Sequence, residues 1–217
     1  LFFGFHYSRR SDADGNRIRK KYIKLICFIL ILQSGLRNVA VGEDTYGYSF
    51  TFIEAKESSW TSLFEYFIDY YKTGEGKDPG YNIFQKIIQL LSGNYQFYLF
   101  IVAVIFFCAL GNFLYKNTSR LYDLVIGFVI YSVLFYSFYS LTGIRQTLAT
   151  AFTLFSYEFI KKKKVIPFLI LVLLASTIHK SALIFLPFYF IAQIKKTKYF
   201  YNSILLLFPF FIVFKEN

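Results

Sequence analysis

The residues best placed for chemistry are cations that lie near the ends of apolar runs. Arg145 occurs in Gly-Ile-Arg-Gln-Thr-Leu-Ala, and His179 and Lys180 open His-Lys-Ser-Ala after the next apolar run. Arg37 lies near the end of an earlier run, 23–41. A guanidinium group suits bidentate binding of a phosphate or a pyrophosphate. These residues favour a site for a phosphorylated substrate; the alternative for each is an interfacial cation that extends toward water.

A predicted hairpin brings Arg145 and His179 to the same side of a membrane. Four lysines at 161–164 separate its two apolar runs, and basic residues near helix ends stay on the cytoplasmic side. Arg145 lies 16 residues before Lys161, and His179 lies 15 residues after Lys164. In helices, both side chains then lie roughly 22–24 Å from the lysines, within a hydrocarbon core of about 30 Å. Charged groups at that depth are costly, so they indicate a function.

The composition is that of a membrane protein rather than of a soluble domain. The 217 residues are 56% hydrophobic and include 29 Phe and 19 Tyr. The net charge of +11 comes from Lys and Arg in short segments between apolar runs, which argues against nucleic-acid binding. Cys27 and Cys108 fall within apolar runs, so neither a disulfide framework nor a metal site is predicted. Because the chain contains no Met, we expect it to be a fragment of a larger chain.

Apolar runs predict an all-α, polytopic transmembrane helix bundle over residues 1–217. The apolar residues at 1–7 are predicted to end a preceding helix, and the basic segment 9–24 is predicted to be a cytoplasmic loop. The predicted spans alternate in direction and cover residues 23–41, 97–115, 124–142, 143–160, 165–178, 181–194 and 199–214.

Residues 42–96 are predicted to form an outer loop that contains interfacial helices. Ser58 or Ser59 caps an amphipathic helix that rests at the membrane interface or on top of the bundle. Its apolar positions recur at helical spacing and are Trp60, Leu63, Phe64, Phe67, Ile68 and Tyr71. After a predicted turn at 73–80, a second amphipathic stretch has an apolar face of Tyr81, Phe84, Ile88 and Leu91.

Two motifs in this outer segment carry groups that suit a sugar substrate. Glu43 and Asp44 follow the first predicted span, and a carboxylate near cations can orient or deprotonate a sugar hydroxyl. The alternative for them is a solvated acidic loop. Asp78 and Tyr81, in Asp-Pro-Gly-Tyr, either present an aromatic ring to a sugar or form a tight turn, and the spacing alone favours the turn.

At these positions the sequence resembles the EpsG family of Wzy-type exopolysaccharide polymerases. The resemblance extends over about residues 20–195, and the order, spacing and predicted topological side of its motifs agree. The motifs are Gly35-Leu36-Arg37, Val41-Gly42-Glu43-Asp44-Thr45 with Tyr48, Asp78-Pro79-Gly80-Tyr81, Gly143-Ile144-Arg145-Gln146-Thr147-Leu148-Ala149 and His179-Lys180-Ser181-Ala182.

The resemblance implies an enzyme that joins polyprenyl-pyrophosphate-linked repeat units on the outer face of the bacterial cytoplasmic membrane. It implies a multi-pass protein that makes an exopolysaccharide, capsule or O-antigen without a metal or another cofactor. The hypothetical roles are pyrophosphate binding for Arg37, Arg145 and Lys180, catalysis for His179, Asp44 and Arg145, and glycan binding for Asp78, Tyr81 and Gln146. His179 acts as acid or base or contacts a phosphate, and Asp44 positions or activates the acceptor hydroxyl.

Other functions are consistent with the same substrate. A flippase or transporter would show paired repeats and interrupted helices with polar groups at mid-membrane, whereas the charges here gather at the outer end. A glycan ligase uses the same donor chemistry, and in a non-catalytic scaffold the outer cations would be incidental. The expected partners are the lipid-linked oligosaccharide and the bilayer, together with a chain-length regulator and a flippase, but no nucleic acid.

Overall fold

The computed structural model describes residues 15–42 and 44–194, which form helices and no strand. The α-helices are α1 (Gly15–Gly35), α2 (Thr45–Glu57), α3 (Trp60–Thr73), α4 (Pro79–Gln89), α5 (Tyr95–Asn117), α6 (Leu121–Ile130), α7 (Ile144–Lys161), α8 (Val165–Ile178) and α9 (Leu186–Ile191). Two π-helical segments, Tyr131–Phe135 and Ser137–Thr142, extend α6, and a 3₁₀ helix, Lys180–Phe185, follows α8. The all-α prediction is confirmed for these residues. The predictions for 1–7 and 199–214 lie outside the described residues.

Helix α5 is the helix on which both α1 and α7 pack. Helix α1 packs along it, α7 packs against it, and α7 packs in turn against α8. The buried side chain of Phe107 contacts the Tyr131 ring of the first π-helical segment edge to face, with ring centres 5.8 Å apart. Asn94 caps α5, because its side-chain oxygen accepts a hydrogen bond from the backbone N–H of Gln96 (2.7 Å). This packing fixes the position of α7, which carries Arg145.

Helix α1 begins inside the segment that the sequence predicts to be a basic loop, 9–24. Its first half is rich in Arg and Lys, which are good helix formers, and no Pro interrupts it. Arg19 donates hydrogen bonds to the carbonyl oxygens of Tyr115 (2.9 Å) and Thr118 (2.6 Å) near the end of α5. The loop prediction is therefore wrong from Gly15 onward.

The same helix ends earlier than predicted, so that Arg37 lies in a loop. Helix α1 stops at Gly35, whereas the predicted span continues to residue 41. The Gln96 side chain donates hydrogen bonds to the carbonyl oxygens of Gly35 and Arg37. These bonds satisfy carbonyl groups that have no partner within the helix at its end.

Three short helices, α2, α3 and α4, lie within residues 42–96. The predicted amphipathic helix is α3, and Ser59 caps it by accepting a hydrogen bond from the backbone N–H of Ser62 (3.1 Å). Gly74 ends α3 in the left-handed conformation, with φ 77°. The predicted turn at 73–80 is shorter in the structure: residues 74–78 separate α3 from α4, and Pro79 and Gly80 begin α4. The predictions of a helix and of a turn after it are confirmed, whereas the outer location of this segment stays a prediction.

The predicted hairpin is confirmed as the pair α7 and α8. Helix α8 has the predicted bounds, and the turn between the helices contains Lys163 with φ 55°. Arg145 lies in the first turn of α7, and His179 follows the last residue of α8. Because the two helices are antiparallel and in contact, both residues lie at the same end of the hairpin.

One described helix, Tyr95–Asn117, is long and apolar enough to cross a membrane. The segments Leu121–Phe135, Val165–Ile178 and Lys180–Ile191 are apolar but shorter. The predicted span 181–194 is not one helix, because Pro187 lies at the start of α9 and its nitrogen cannot donate to the preceding 3₁₀ turn. A polytopic bundle therefore stays a prediction.

Candidate functional site

A buried carboxylate, Asp78, joins the two cationic residues at the end of the hairpin. Its Oδ2 lies 3.0 Å from Nη1 of Arg145 and 3.2 Å from Nδ1 of His179. Its Oδ1 accepts a hydrogen bond from the backbone N–H of Lys180 (3.3 Å). The Asp78 side chain is only 4% exposed, so protein groups rather than water stabilise its charge. We call these side chains of Asp78, Arg145 and His179 the Asp78 cluster.

The local backbone of α4 presents Asp78 to the hairpin. Asp78 adopts the left-handed conformation (φ 49°, ψ 54°), which Asp tolerates better than most residues, and Pro79 then begins the helix. Gly80 allows the start of α4 to approach α8, since a Cβ there would clash with the Thr177 side chain and lie 2.9 Å from its carbonyl carbon. The Asp-Pro-Gly sequence thus sets the carboxylate against the end of α8.

The surroundings of Asp78 keep its carboxylate ionised. Burial raises its pKa, but the hydrogen bond and the charge of His179, the charge of Arg145 and the Lys180 N–H together lower that pKa by more. The pKa of Asp78 therefore lies below its ordinary value. An ionised carboxylate on Nδ1 orients the His179 ring and leaves Nε2 to exchange a proton with another group.

Arg145 also faces a cavity of about 570 Å³ between α2, α3, α4 and α7. Its guanidinium carbon lies 5.4 Å from the ring centre of Tyr48 and 5.9 Å from that of Tyr81. The other residues that line the cavity are Asp44, Gly47, Thr51, Tyr66, Lys77 and Asn82. Carboxylate, ammonium, amide, hydroxyl and aromatic groups beside a guanidinium are groups that can contact a phosphorylated sugar.

The structure separates the residues predicted to bind pyrophosphate. Arg37 is 8% exposed and donates hydrogen bonds to the Ser34 carbonyl (2.8 Å) and hydroxyl (3.3 Å) oxygens. It does not line the cavity beside Arg145. Lys180 contributes its backbone N–H to Asp78, and its side chain is exposed. Arg145 and His179 come together as predicted, but Arg37 does not join them.

The residues predicted to act on the glycan also lie in different places. Asp44 is exposed and lines the cavity beside Arg145. Tyr81 lines the same cavity but is 2% exposed, because its ring packs edge to face on Tyr48. Gln146 lines a separate cavity of about 180 Å³, between α7 and the 3₁₀ helix. Their roles stay predictions.

Sequence reasoning missed the part that Asp78 plays in this site. It assigned Asp78 to glycan binding, whereas the carboxylate is the shared partner of Arg145 and His179. The missed signal is electrostatic: an Arg and a His that share one end of the hairpin favour a carboxylate nearby, and the segment 42–96 is rich in acids. Within residues 15–42 and 44–194, no three His, Cys, Asp or Glu side chains form a group that could hold a metal ion.

In the described residues, these observations define an all-α protein in which a buried Asp78 joins the partly buried Arg145 and His179 next to a polar, aromatic cavity. The EpsG family model matches residues 20–216, and the chain belongs to the EpsG family. No curated protein and no solved structure matches the chain. Membership confirms the resemblance seen in the motifs, and it makes the chain a polymerase-like membrane protein of exopolysaccharide biosynthesis.

Proposed function

We propose that this protein polymerises polyprenyl-pyrophosphate-linked oligosaccharide repeat units on the outer face of the bacterial cytoplasmic membrane. The observation that carries the proposal is the Asp78 carboxylate, which Arg145 and His179 share in a chain of the EpsG family. This cluster combines a cation for a pyrophosphate with an oriented base for a hydroxyl group. The product is an exopolysaccharide, a capsule or an O-antigen.

In the proposed reaction, a hydroxyl of the acceptor repeat unit attacks the anomeric carbon of the donor glycan. The new glycosidic C–O bond forms while the anomeric C–O bond to the polyprenyl pyrophosphate breaks, and the pyrophosphate leaves with the electron pair. Nε2 of His179 takes the acceptor proton, while Nδ1 donates its hydrogen bond to Asp78. Arg145 stabilises the charge that develops on the leaving group.

The cavity beside Arg145 is proposed to hold the sugars that react. Asp44 lies on its wall, where a carboxylate positions or activates the acceptor hydroxyl, and Tyr81 contributes part of the aromatic surface. Arg37, His179, Lys180 and Gln146 do not line this cavity. Their proposed contacts with the acceptor hydroxyl, the pyrophosphate or the glycan therefore require substrate that extends beyond the cavity.

The proposal places several helices across the membrane. Helix α5 is long and apolar enough for this role, and α6 and α8 are apolar. By the positive-inside rule, the lysines at 161–164 support a cytosolic position for the hairpin turn, and the proposal puts the Asp78 cluster on the opposite side. A flippase that supplies the lipid-linked unit and a chain-length regulator are the proposed protein partners.

Replacement of the wild-type gene by one that encodes Arg145→Ala tests the proposal. We expect polymer to be lost at unchanged protein level, with single lipid-linked repeat units accumulating on the outer face of the membrane. Polymer of wild-type length would contradict the proposal. Accumulation on the inner face would favour a flippase instead. Glu65→Ala, which removes an exposed charge from α3, is the matched control and should leave the polymer unchanged.

A further inference from the structure

Helix α3 carries an apolar stripe that no described part of the chain covers. Trp60, Phe64, Ile68 and Tyr71 recur at spacings of three and four residues, and each is between 37% and 57% exposed. The face beside the stripe holds α3 in place, since Leu63 is buried. The stripe therefore lies on the free side of a folded helix that packs on the protein through a neighbouring side.

The residue types on this stripe favour the boundary between a bilayer and water. Trp and Tyr concentrate at that depth because their rings are amphipathic, and an amphipathic helix lies there with its apolar face inserted. The exposed charges of α3 are Glu65, Asp69 and Lys72, which nearly cancel. Attachment through α3 therefore depends on apolar insertion rather than on attraction to anionic lipids.

The chain keeps this part of the protein close to the membrane. Leu90 and Leu91, which end the α4 region, are 70% and 72% exposed. Helix α5 begins a few residues later, and it is the helix long and apolar enough to cross a bilayer. Helix α3 packs against α4, so it is held near the point where α5 enters the membrane.

The inner face of α3 is connected to the Asp78 cluster. The Tyr66 hydroxyl accepts a hydrogen bond from the backbone N–H of Lys77 (2.8 Å) and donates one to the Lys77 carbonyl oxygen (3.3 Å). Lys77 directly precedes Asp78, and both Tyr66 and Lys77 line the cavity beside Arg145. A change in the position of α3 would therefore move one wall of that cavity.

We propose that α3 is an interfacial helix whose apolar stripe inserts into the outer leaflet of the membrane. By doing so it holds the Tyr66–Lys77 wall of the cavity at the level of the lipid headgroups. Lipid-linked sugars then reach the cavity from the membrane surface. The insertion itself is independent of the reaction, whereas the consequence for substrate access rests on the proposed polymerase function.

Trp60 is the one tryptophan of the chain, so its fluorescence reports on the stripe directly. The test uses the full chain in phosphatidylcholine vesicles that contain lipids brominated at different depths. We expect short-wavelength emission and the strongest quenching by bromines near the headgroup end of the acyl chain, unchanged at high salt. Quenching by aqueous iodide without quenching by brominated lipid would overturn the insertion. Protection from iodide that disappears when the protein is diluted in lipid would show a second copy on the stripe, and would also overturn it.

A pair of variants separates insertion from the effect on the site. In Phe64→Glu/Ile68→Glu we expect several-fold weaker quenching by brominated lipid and less polymer in cells. Asp69→Lys changes a charge on the exposed polar face of the same helix and should change neither measurement. Weaker quenching with unchanged polymer would overturn the link to the cavity. The Arg145→Ala variant keeps the stripe, so its Trp60 quenching should equal that of the wild type. If that variant still makes polymer, the proposed function fails while the insertion of α3 stands.

Discussion

At each end of helix α7 one carboxylate contacts two basic side chains, but the surroundings of the two carboxylates differ. At one end lies the Asp78 cluster, whose carboxylate is 4% exposed. At the other end Glu158 lies 2.8 Å from Nζ of Lys161 and 3.5 Å from Nζ of Lys116. Those two lysine side chains are 38% and 43% exposed, and Glu158 is 15% exposed. Water therefore screens the charges at the lysine end more than it screens the charge of Asp78.

We infer from this difference that burial and donor type, rather than the number of charges, distinguish a candidate site from a structural ion pair. Exposed ion pairs contribute only about 0–1 kcal/mol, because water competes for both partners. Removing one partner of a buried pair costs about 3–5 kcal/mol, because the other charge is left without compensation. The rigid guanidinium of Arg145 and the imidazole of His179 also suit phosphate binding and proton transfer, which a hydrated lysine ammonium does less well. We therefore propose a chemical role for the Asp78 cluster and a structural role for the Glu158 end.

The largest expected effect follows from neutralising the central carboxylate. Asp78→Asn keeps the shape of the side chain but removes the charge that orients His179 and pairs with Arg145. We expect polymer synthesis to fall by about 10²-fold or more, the usual size of a lost acid–base contribution. Polymer yield at matched protein level measures this. Asp69→Asn, on the exposed face of α3, is the control. Equal polymer yields in the two variants would contradict a role for Asp78 in polymer synthesis.

A smaller effect is expected when the approach of α4 to α8 is blocked. The Cβ of Gly80→Ala meets the Thr177 side chain and backbone, so α4 must move and separate Asp78 from His179. Such overpacking costs about 1–3 kcal/mol of unfolding free energy, and polymer synthesis should fall with it. Thermal unfolding in detergent measures the change. Gly15→Ala, where a Cβ meets nothing within 4 Å, should leave the Tm nearly unchanged; an equal loss in both variants would refute the packing argument.

Acidification should weaken the Asp78 cluster in a defined direction. The unfolded chain protonates this carboxyl near its ordinary pKa of about 3.9, whereas the lowered pKa of Asp78 keeps the folded protein deprotonated to a lower pH. At pH values between these two pKa values the unfolded state binds more protons than the folded state, so the free energy of unfolding falls as the pH falls. We expect the Tm of the wild type to drop more steeply below about pH 4 than that of Asp78→Asn. Parallel curves of Tm against pH would contradict the lowered pKa.

The smallest effect is expected at the lysine end of α7. Glu158→Gln removes the charge between Lys116 and Lys161, which water already screens. We expect a change in unfolding free energy of no more than about 1 kcal/mol and polymer of normal length. Thermal unfolding and polymer sizing check this. A loss of polymer comparable to that of Asp78→Asn would abolish the distinction between the two ends.

Sequence reasoning succeeded where a local pattern determines the structure. The lysine run predicted the turn of the hairpin, Ser59 predicted the start of α3, and helical spacing predicted the apolar stripe of α3. It failed where side chains distant in the sequence determine the structure. The early end of α1 depends on Gln96, and the ion pairs of Asp78 depend on contacts across 67 and 101 residues. No local signal reports such contacts, because packing of the completed bundle creates them.

Topology can be tested directly by labelling single-cysteine variants with a membrane-impermeant maleimide. Lys77→Cys lies on the cavity wall and Lys163→Cys in the hairpin turn, each combined with replacement of Cys27 and Cys108 by Ser. In spheroplasts we expect labelling of Lys77→Cys without permeabilisation and labelling of Lys163→Cys only after it. Labelling of Lys163→Cys in intact spheroplasts, with Lys77→Cys reached only after permeabilisation, would place the Asp78 cluster in the cytosol and contradict an outer-face polymerase.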